Sequence, residues 1–278
     1  MEKSGELLRL VRDHDWSLDR VAQLENGVWI VEGVQPESTF DDEVHAGVAA
    51  IEAKSVWFRV RNTLILDLVR AAGFPPTIWE VGAGTGVVAR ELTRAGCEVV
   101  AVEPSIGGAA EAAVAVGTSI ASTLESLCLP SRSIPAIGLF DVIEHLDEPC
   151  RLLAECRRVL QPGGRLFLTV PAMQLLWSYS DEALGHHRRY SRTALVGELE
   201  DSGFVVRECS YRLWSIVLPV VLVRSIPYRL GLGGGRASIE RQLGVSSRIL
   251  TSFLIRTERM ARGHSPFGTS LFAVASAP

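Results

Sequence analysis

The sequence has no Cys-x-x-Cys pair. Its five cysteines, Cys97, Cys128, Cys150, Cys156 and Cys209, are scattered singly. That spacing argues against a zinc site or a disulfide framework and suits a reducing cytosol. A long apolar run is also missing: the stretch 213–223 is broken by Pro219 and is too short to span a bilayer. The first residues, MEKSGELLRLVRDHDW, are charged where a secretory leader would be apolar, so no signal peptide is expected. There is no internal repeat and no low-complexity tract. No array interleaves aromatic and basic residues for stacking on bases, and no nucleic-acid partner is expected. From Val205 onward lysine is absent. Ten arginines there face only Glu208, Glu240 and Glu258, a balance of +7, so a net charge of −4 leaves −11 on the rest. A basic, apolar end on an acidic body makes membrane or anionic-ligand contact a question to carry forward.

Hydrophobic residues form 47% of the 278 and charged residues 22%. This is enough apolar material for one α/β domain with additions. The first 45 residues or so lack sustained periodicity. A helical pattern over 48–72 leads to the Gly73–Pro76 break. Strands are then expected at 78–81, 98–102, 134–140 and 165–170, with helices at 87–95 and 150–160 between them. Gln161-Pro162-Gly163-Gly164 stops the second of these helices. A helix at 192–201, a strand at 205–211, an arginine-rich helical insert and a last strand at 270–275 complete the pattern. The expected units are an N-terminal extension with lid helices (1–72), a Rossmann-like core (73–212), the insert (213–265) and the final core strand (266–278).

The densest chemistry lies in Glu80-Val81-Gly82-Ala83-Gly84-Thr85-Gly86, between a strand and a helix. Glycines there let the backbone turn tightly and approach a ligand. A G-x-G-x-x-G loop would point to a pyrophosphate on the helix N-terminus, as in a nicotinamide-dependent oxidoreductase, but Val87 stands where its last glycine belongs. The shorter G-x-G-x-G spacing fits a loop around an uncharged ribose and a methionine tail. Glu103 ends the next strand, about 20 residues after the first glycine, where a carboxylate can accept from both ribose hydroxyls.

At these residues the chain resembles the class I S-adenosylmethionine-dependent methyltransferases, in particular a bacterial branch found beside glycosyltransferase and polysaccharide genes. The resemblance also rests on Ser55-Val56-Trp57-Phe58, Arg61-Asn62, Glu103-Pro104, residues 138–145, Pro162-Gly163-Gly164, Thr169-Val170-Pro171-Ala172, Leu176-Trp177-Ser178, residues 185–190 and Pro266-Phe267-Gly268-Thr269-Ser270. It implies a seven-stranded Rossmann-like sheet with the last strand antiparallel. S-adenosylmethionine would be held by Glu80, Gly82, Gly84, Gly86 and Glu103, with Asp141 nearby and Thr123 and Leu124 lining the adenine pocket. Many relatives carry Asp where Thr123 stands.

Methyl transfer is an in-line displacement from an activated sulfonium, so the protein aligns the acceptor and, for an oxygen acceptor, removes a proton. Such groups belong after strand ends on the cofactor side. Asp141-Val142-Ile143-Glu144-His145 follows one. Three readings stand: a fixed loop beneath the cofactor, His145 as general base helped by Glu144 and His186, or a divalent metal on Asp141, Glu144 and His145 with His186 or His187 as a further ligand. Gly185-His186-His187-Arg188-Arg189-Tyr190 follows a later strand and is expected over the acceptor. His187, Arg188, Arg189 and Tyr190, with Trp57 and Trp177 as walls, are the candidate acceptor contacts. The arginines could grip a carboxylate or phosphate, or one could be locked by Asp181. Arg61 and Asn62 could reach the cofactor or serve the helix face.

The acceptor class expected is a small molecule, a sugar or a lipid-linked group, with O-methylation favoured. In the insert, the 213–223 stretch ending at Arg224 and the amphipathic 249–255 segment with Arg248, Arg256, Arg259 and Arg262 suit a lid, a homodimer surface or peripheral membrane contact. A catalytically silent cofactor-binding protein is the other alternative. The expected location is cytoplasmic, including the cytoplasmic membrane surface.

Overall fold

The computed structural model describes residues 21–23, 27–31, 55–232, 247–261 and 265–278. From Thr77 on, strands and helices alternate. β3 (Thr77–Val81) leads to α2 (Val87–Arg94), β4 (Glu98–Glu103) to α3 (Ile106–Val116), and the short β5 (Ser119–Ala121) to β6 (Ile134–Phe140). Then come α4 (Pro149–Val159), β7 (Leu160–Pro171), α5 (Tyr179–Ala183), α6 (Arg192–Asp201) and β8 (Val205–Arg212). The chain closes with β9 (Ser270–Ser276), which lies antiparallel between β7 and β8.

The seven strands β3–β9 run in the order 5-4-3-6-7-9-8, which is the expected Rossmann-like sheet with its last strand antiparallel. Two more strands extend it. β1 (Val21–Gln23) and β2 (Val28–Val31) form an antiparallel ribbon, and β2 pairs parallel with β5. Within the 1–72 extension, expected to be helical, these two segments are strands instead and lengthen the described sheet to nine strands.

The core strands are apolar because both faces are covered. On one face Leu152, Leu153, Leu195 and Leu199 of α4 and α6 meet Trp79, Ile137 and Leu168. On the other, Val60, Leu64, Ile65 and Leu68 of α1 (Val56–Ala71) join Val88 and Leu92 of α2 over Ile78, Phe167 and Phe272. The expected helix over 48–72 is α1 within the described residues; its first part lies outside them. Ser105 caps α3 by accepting from Gly108 N at 3.2 Å, and Pro149 opens α4. After α4, residues 160–164 continue into β7, so Pro162-Gly163-Gly164 ends the helix without interrupting the strand.

The insert leaves β8 at Arg212 and returns at Ser270, on the edge where β7 also ends. Its first part is α7 (Val217–Val220), a π-helical turn (Val221–Ser225) and α8 (Ile226–Arg229). Its second is α9 (Arg248–Ala261), anchored on α1 by Leu254 and by the Arg259–Asp67 pair, with Nε–Oδ2 of 2.8 Å. Buried Glu258 accepts from Leu213 N at 2.9 Å and Ser215 Oγ at 3.2 Å, fastening the two parts together. Arg262 lies outside the described residues. No described helix is long and apolar enough to cross a membrane.

Candidate active site

The glycine loop leaves β3 at Val81 and enters α2. Gly82, Gly84 and Gly86 all have left-handed backbones, with φ of 71°, 53° and 71°. Their surroundings differ. A Cβ on Gly82 would meet Val142 Cγ2 at 2.7 Å, and one on Gly86 would meet Ala112 Cα at 2.8 Å; one on Gly84 would meet nothing within 4 Å. Two glycines close the loop onto the protein and the middle one faces open space. Glu80 is buried in β3 just ahead of the loop.

Glu103, buried at the end of β4, accepts from Gly84 N at 2.8 Å and from Ser105 N at 3.0 Å. These charge-assisted bonds tie the loop to the next turn. Beyond β5, Thr123 Oγ1 donates to Ser126 Oγ at 3.0 Å and accepts from Ser126 N at 3.2 Å.

On the other side of the loop, Asp141 follows β6 with φ of 59°. That left-handed conformation in a side-chain-bearing residue stores about 1–3 kcal/mol of strain. Its carboxylate lies 2.6 Å from Arg61 Nε and accepts from Thr169 Oγ1 at 3.0 Å, so α1, β6 and β7 are joined beneath the loop. A 3₁₀ turn, Ile143–His145, comes next. Glu144 is fully buried, and neither carboxylate oxygen has a hydrogen-bond partner among the described residues. Burial, and then the charge of Asp141, push its carboxyl well above the ordinary value.

His186 arrives from the connection after α5. Its ring meets that of His145 edge-on, with centroids 4.8 Å apart. One ligating atom each from Glu144, His145 and His186 can be chosen so that all lie within 4.8 Å of one another. Burial, and then the neighbouring His186, lower His145 to about 4, against the opposing charge of Asp141. His186 Nδ1 is 2.9 Å from Asp181 Oδ1, so a buried carboxylate sets this ring and leaves Nε2 as its available nitrogen. Asp181 also accepts from Arg189 Nε at 2.7 Å, Arg189 Nη2 at 3.1 Å and Ser178 N at 2.9 Å. Burial raises Asp181, but bonds and charges from His186 and Arg189 outweigh it and hold its carboxyl below the usual range.

The glycine loop, Glu103 and the carboxylate–imidazole cluster thus share the carboxyl edge of the sheet. The methyltransferase domain family matches residues 57–208, more than half of the chain. The chain belongs to the S-adenosylmethionine-dependent methyltransferases.

A ubiquinone biosynthesis O-methyltransferase of Xanthomonas oryzae pv. oryzae is 28% identical over 167 residues, covering 56% of this chain and 61% of the relative. A methyltransferase of Mycobacterium tuberculosis without assigned function is 34% identical over 110 residues, 39% of this chain and 42% of the relative. The alignments therefore span less than two thirds of the length of these curated relatives. Among solved structures, the methyltransferase complexed with the Haloferax volcanii Trm112 methyltransferase activator superposes with a TM-score of 0.55 at 17% identity, over 85% of this chain and 95% of that one. That likeness speaks for the fold.

Several expectations for the methyltransferase need correction at the level of side chains. Asp141 does not join Glu144 and His145 in a ligand set, because Arg61 and Thr169 occupy it; His186 takes that place. Arg61 accordingly serves this ion pair, with Asn62 Oδ1 accepting from it at 3.0 Å. His187 turns to the surface, with Nδ1 2.8 Å from Asp147 Oδ1. Arg188 Nη2 donates to the carbonyls of Leu146 and Asp147, both at 2.9 Å. Of the two roles expected for the arginine pair, Arg189 takes the lock with Asp181. Tyr190 is buried in the core, and its backbone bridges Pro171 and Met173. Leu124 is fully enclosed among core side chains, so the side chain cannot line an open adenine pocket. Trp57 and Trp177 are half-buried; the Arg61 guanidinium lies 5.6 Å from the Trp57 ring centroid. Sequence reasoning gave no individual role to Thr169, whose hydroxyl donates to Asp141.

Proposed function

We propose that this methyltransferase moves the methyl group of S-adenosylmethionine to a hydroxyl oxygen of a small, sugar or lipid-linked acceptor. The observation that carries this reading is the Glu144–His145–His186 cluster beside the glycine loop. A hydroxyl must lose its proton as the methyl arrives, and a neutral imidazole can accept it. On this reading Gly82, Gly84, Gly86 and Glu103 hold the cofactor, with Glu80 and Thr123 behind them. His145 takes the proton, His186 packs edge-on against its ring, and Glu144 lies buried beside the pair. Trp57 and Trp177 flank the acceptor. The core is 73–212 with the strand of 266–278, and the described insert residues 213–232 and 247–261 form a lid. The O-methyltransferase name of a relative agrees with the choice of oxygen.

One observation supports a second role for the same cluster. A buried carboxylate without a hydrogen bond, set among two imidazoles, suits a divalent cation, and Asp181 behind His186 is the kind of outer partner that such sites use. A bound cation would lower the pKa of an acceptor hydroxyl.

The insert favours a lipid-linked acceptor. Leu218, Leu222 and Ile226 recur every four residues and are exposed, and α9 exposes Ile249, Phe253 and Met260 beside Arg248 and Arg256. The one carboxylate among the insert's described residues, Glu258, is buried. An apolar face with cationic borders complements an anionic bilayer.

Tritiated S-adenosylmethionine and a set of phenols, sugars and polyprenyl-linked sugars test the reading. The label is expected on oxygen. His145→Ala should keep its affinity for S-adenosylhomocysteine and lose about 100-fold or more in turnover. Label on nitrogen, or full activity in the variant, overturns the reading. Loss of wild-type activity in EDTA, restored by a divalent ion, assigns the cluster to metal. Sedimentation with phosphatidylglycerol vesicles tests the insert; concentration-dependent dimerisation with no vesicle binding would give that face to a second copy.

A further inference from the structure

Both arginines that the sequence offers as an anion grip are occupied. Arg189 spends its Nε and Nη2 on Asp181 and donates from Nη1 to Ala172 O at 3.2 Å. Arg188 pins the carbonyls after the 3₁₀ turn. A third arginine reaches the same place from the insert. Arg224 lies in the π-helical turn, partly buried, while its neighbours Leu222 and Val223 are each 54% exposed. Extra-residue turns of this kind cost helical regularity and cluster at functional sites.

The segment bearing Arg224 is strapped across the connection after β7. Arg229 Nη2 donates to Leu175 O at 3.0 Å, Tyr228 Oη donates to Glu182 Oε1 at 2.6 Å, and the Tyr228 and Tyr179 rings meet edge-on at 4.8 Å. This sets Arg224 within electrostatic reach of Asp181 and Arg189. One carboxylate then faces two guanidinium groups, and Arg189 already holds that carboxylate in a two-point bond. Arg224 itself makes no hydrogen bond or ion pair among the described residues. A half-buried cation without a bonded partner among the described residues gains from an anion that enters.

We propose that Arg224 receives an anionic group of the acceptor, a carboxylate or a phosphoryl group, and so selects acceptors that carry one. The inference rests on the acceptor-side reading of this edge. Its chemistry is the planar donor fork of arginine, which matches two oxygens of either anion. Burial, and then the charge of Arg189, push the Arg224 guanidinium below its ordinary value, with Asp181 opposing, as expected of a site short of negative charge. Arg224 is a specificity residue and takes no part in the methyl transfer.

The test is a binding measurement without turnover, on the full chain saturated with S-adenosylhomocysteine and in EDTA. The probes are 3,4-dihydroxybenzoate, its neutral amide 3,4-dihydroxybenzamide, phenyl phosphate and phenol. Wild type should bind each anion about tenfold or more tighter than its neutral counterpart, the worth of hydrogen bonds to a charged group. Arg224→Gln should erase that preference, and Arg224→Lys should keep part of it. S-adenosylhomocysteine affinity should be the same in all three. Equal binding of anion and neutral counterpart by wild type, or an unchanged preference in Arg224→Gln, overturns the proposal. Should Arg224→Gln fail to fold, a preference in Arg224→Lys as large as in wild type overturns it equally. Failure of wild type to bind S-adenosylhomocysteine would fall on the cofactor reading instead.

Discussion

The three loop glycines should separate stability from binding. All are left-handed, and an alanine there costs about 1–2 kcal/mol in backbone strain. At Gly84 strain is the whole cost to the protein, because a Cβ meets nothing within 4 Å. At about 2–4 °C per kcal/mol, Gly84→Ala should lower Tm by roughly 2–8 °C. At Gly86 the new Cβ would stand 2.8 Å from Ala112 Cα, which is backbone and cannot swing aside. Overpacking adds about 1–3 kcal/mol to the strain, so Gly86→Ala should lose roughly 4–20 °C. Affinity should run the other way. If the space over Gly84 belongs to the cofactor, the methyl presses into a fitted ligand at about 1–3 kcal/mol, or roughly 5–150-fold in Kd. Scanning calorimetry of the unliganded variants gives the first quantity, and titration with S-adenosylhomocysteine gives the second. Wild-type affinity in Gly84→Ala would refute the placement of the cofactor, and equal Tm values for the two variants would refute the packing argument.

Glu103→Ala should weaken S-adenosylhomocysteine by about 1.5–3 kcal/mol, the worth of hydrogen bonds to a charged group, read by titration well below the Tm, which the lost bonds to Gly84 N and Ser105 N also lower. Wild-type affinity there removes Glu103 from the cofactor site. Asp181→Ala strips the partner from Arg189, whose side chain is only 9% exposed, and leaves a buried charge alone. A loss of about 3–5 kcal/mol, roughly 6–20 °C in Tm, is expected, and a variant as stable as wild type would show that the pair holds nothing together.

What could be read from the sequence follows chain distance. The glycine loop and Glu103 are joined by about 20 residues of alternating strand and helix, so spacing alone brought them together. The strands of the ribbon could not be seen, because three or four residues carry no measurable period. Within the cluster, Glu144 and His145 are neighbours, but His186 comes from the connection after α5, three elements later. Nothing local distinguishes His186 from His187; the choice is made by Asp181 behind one and Asp147 beside the other. Asp141 failed as a ligand for a similar reason. Its partner Arg61 lies on a helix that precedes the whole core, and only tertiary packing makes the pair. The arginines 188 and 189 were placed correctly along the chain, yet their donors point back into the protein.

The β1–β2 ribbon bears on the order in which the molecule assembles. In the core sheet β2 pairs with β5, about ninety residues further along the chain, and Val28 packs on Ala109 and Ala113 of α3. Preceding β3, β4 and β5 in the chain, it has no place in the core sheet until they form. Contacts that close so long a loop come late and give way early. Its departure would bare the edge of β5, a row of unpaired N–H and C=O groups open to strands of other chains. The ribbon thus covers an edge of the core sheet that would otherwise be open to pairing.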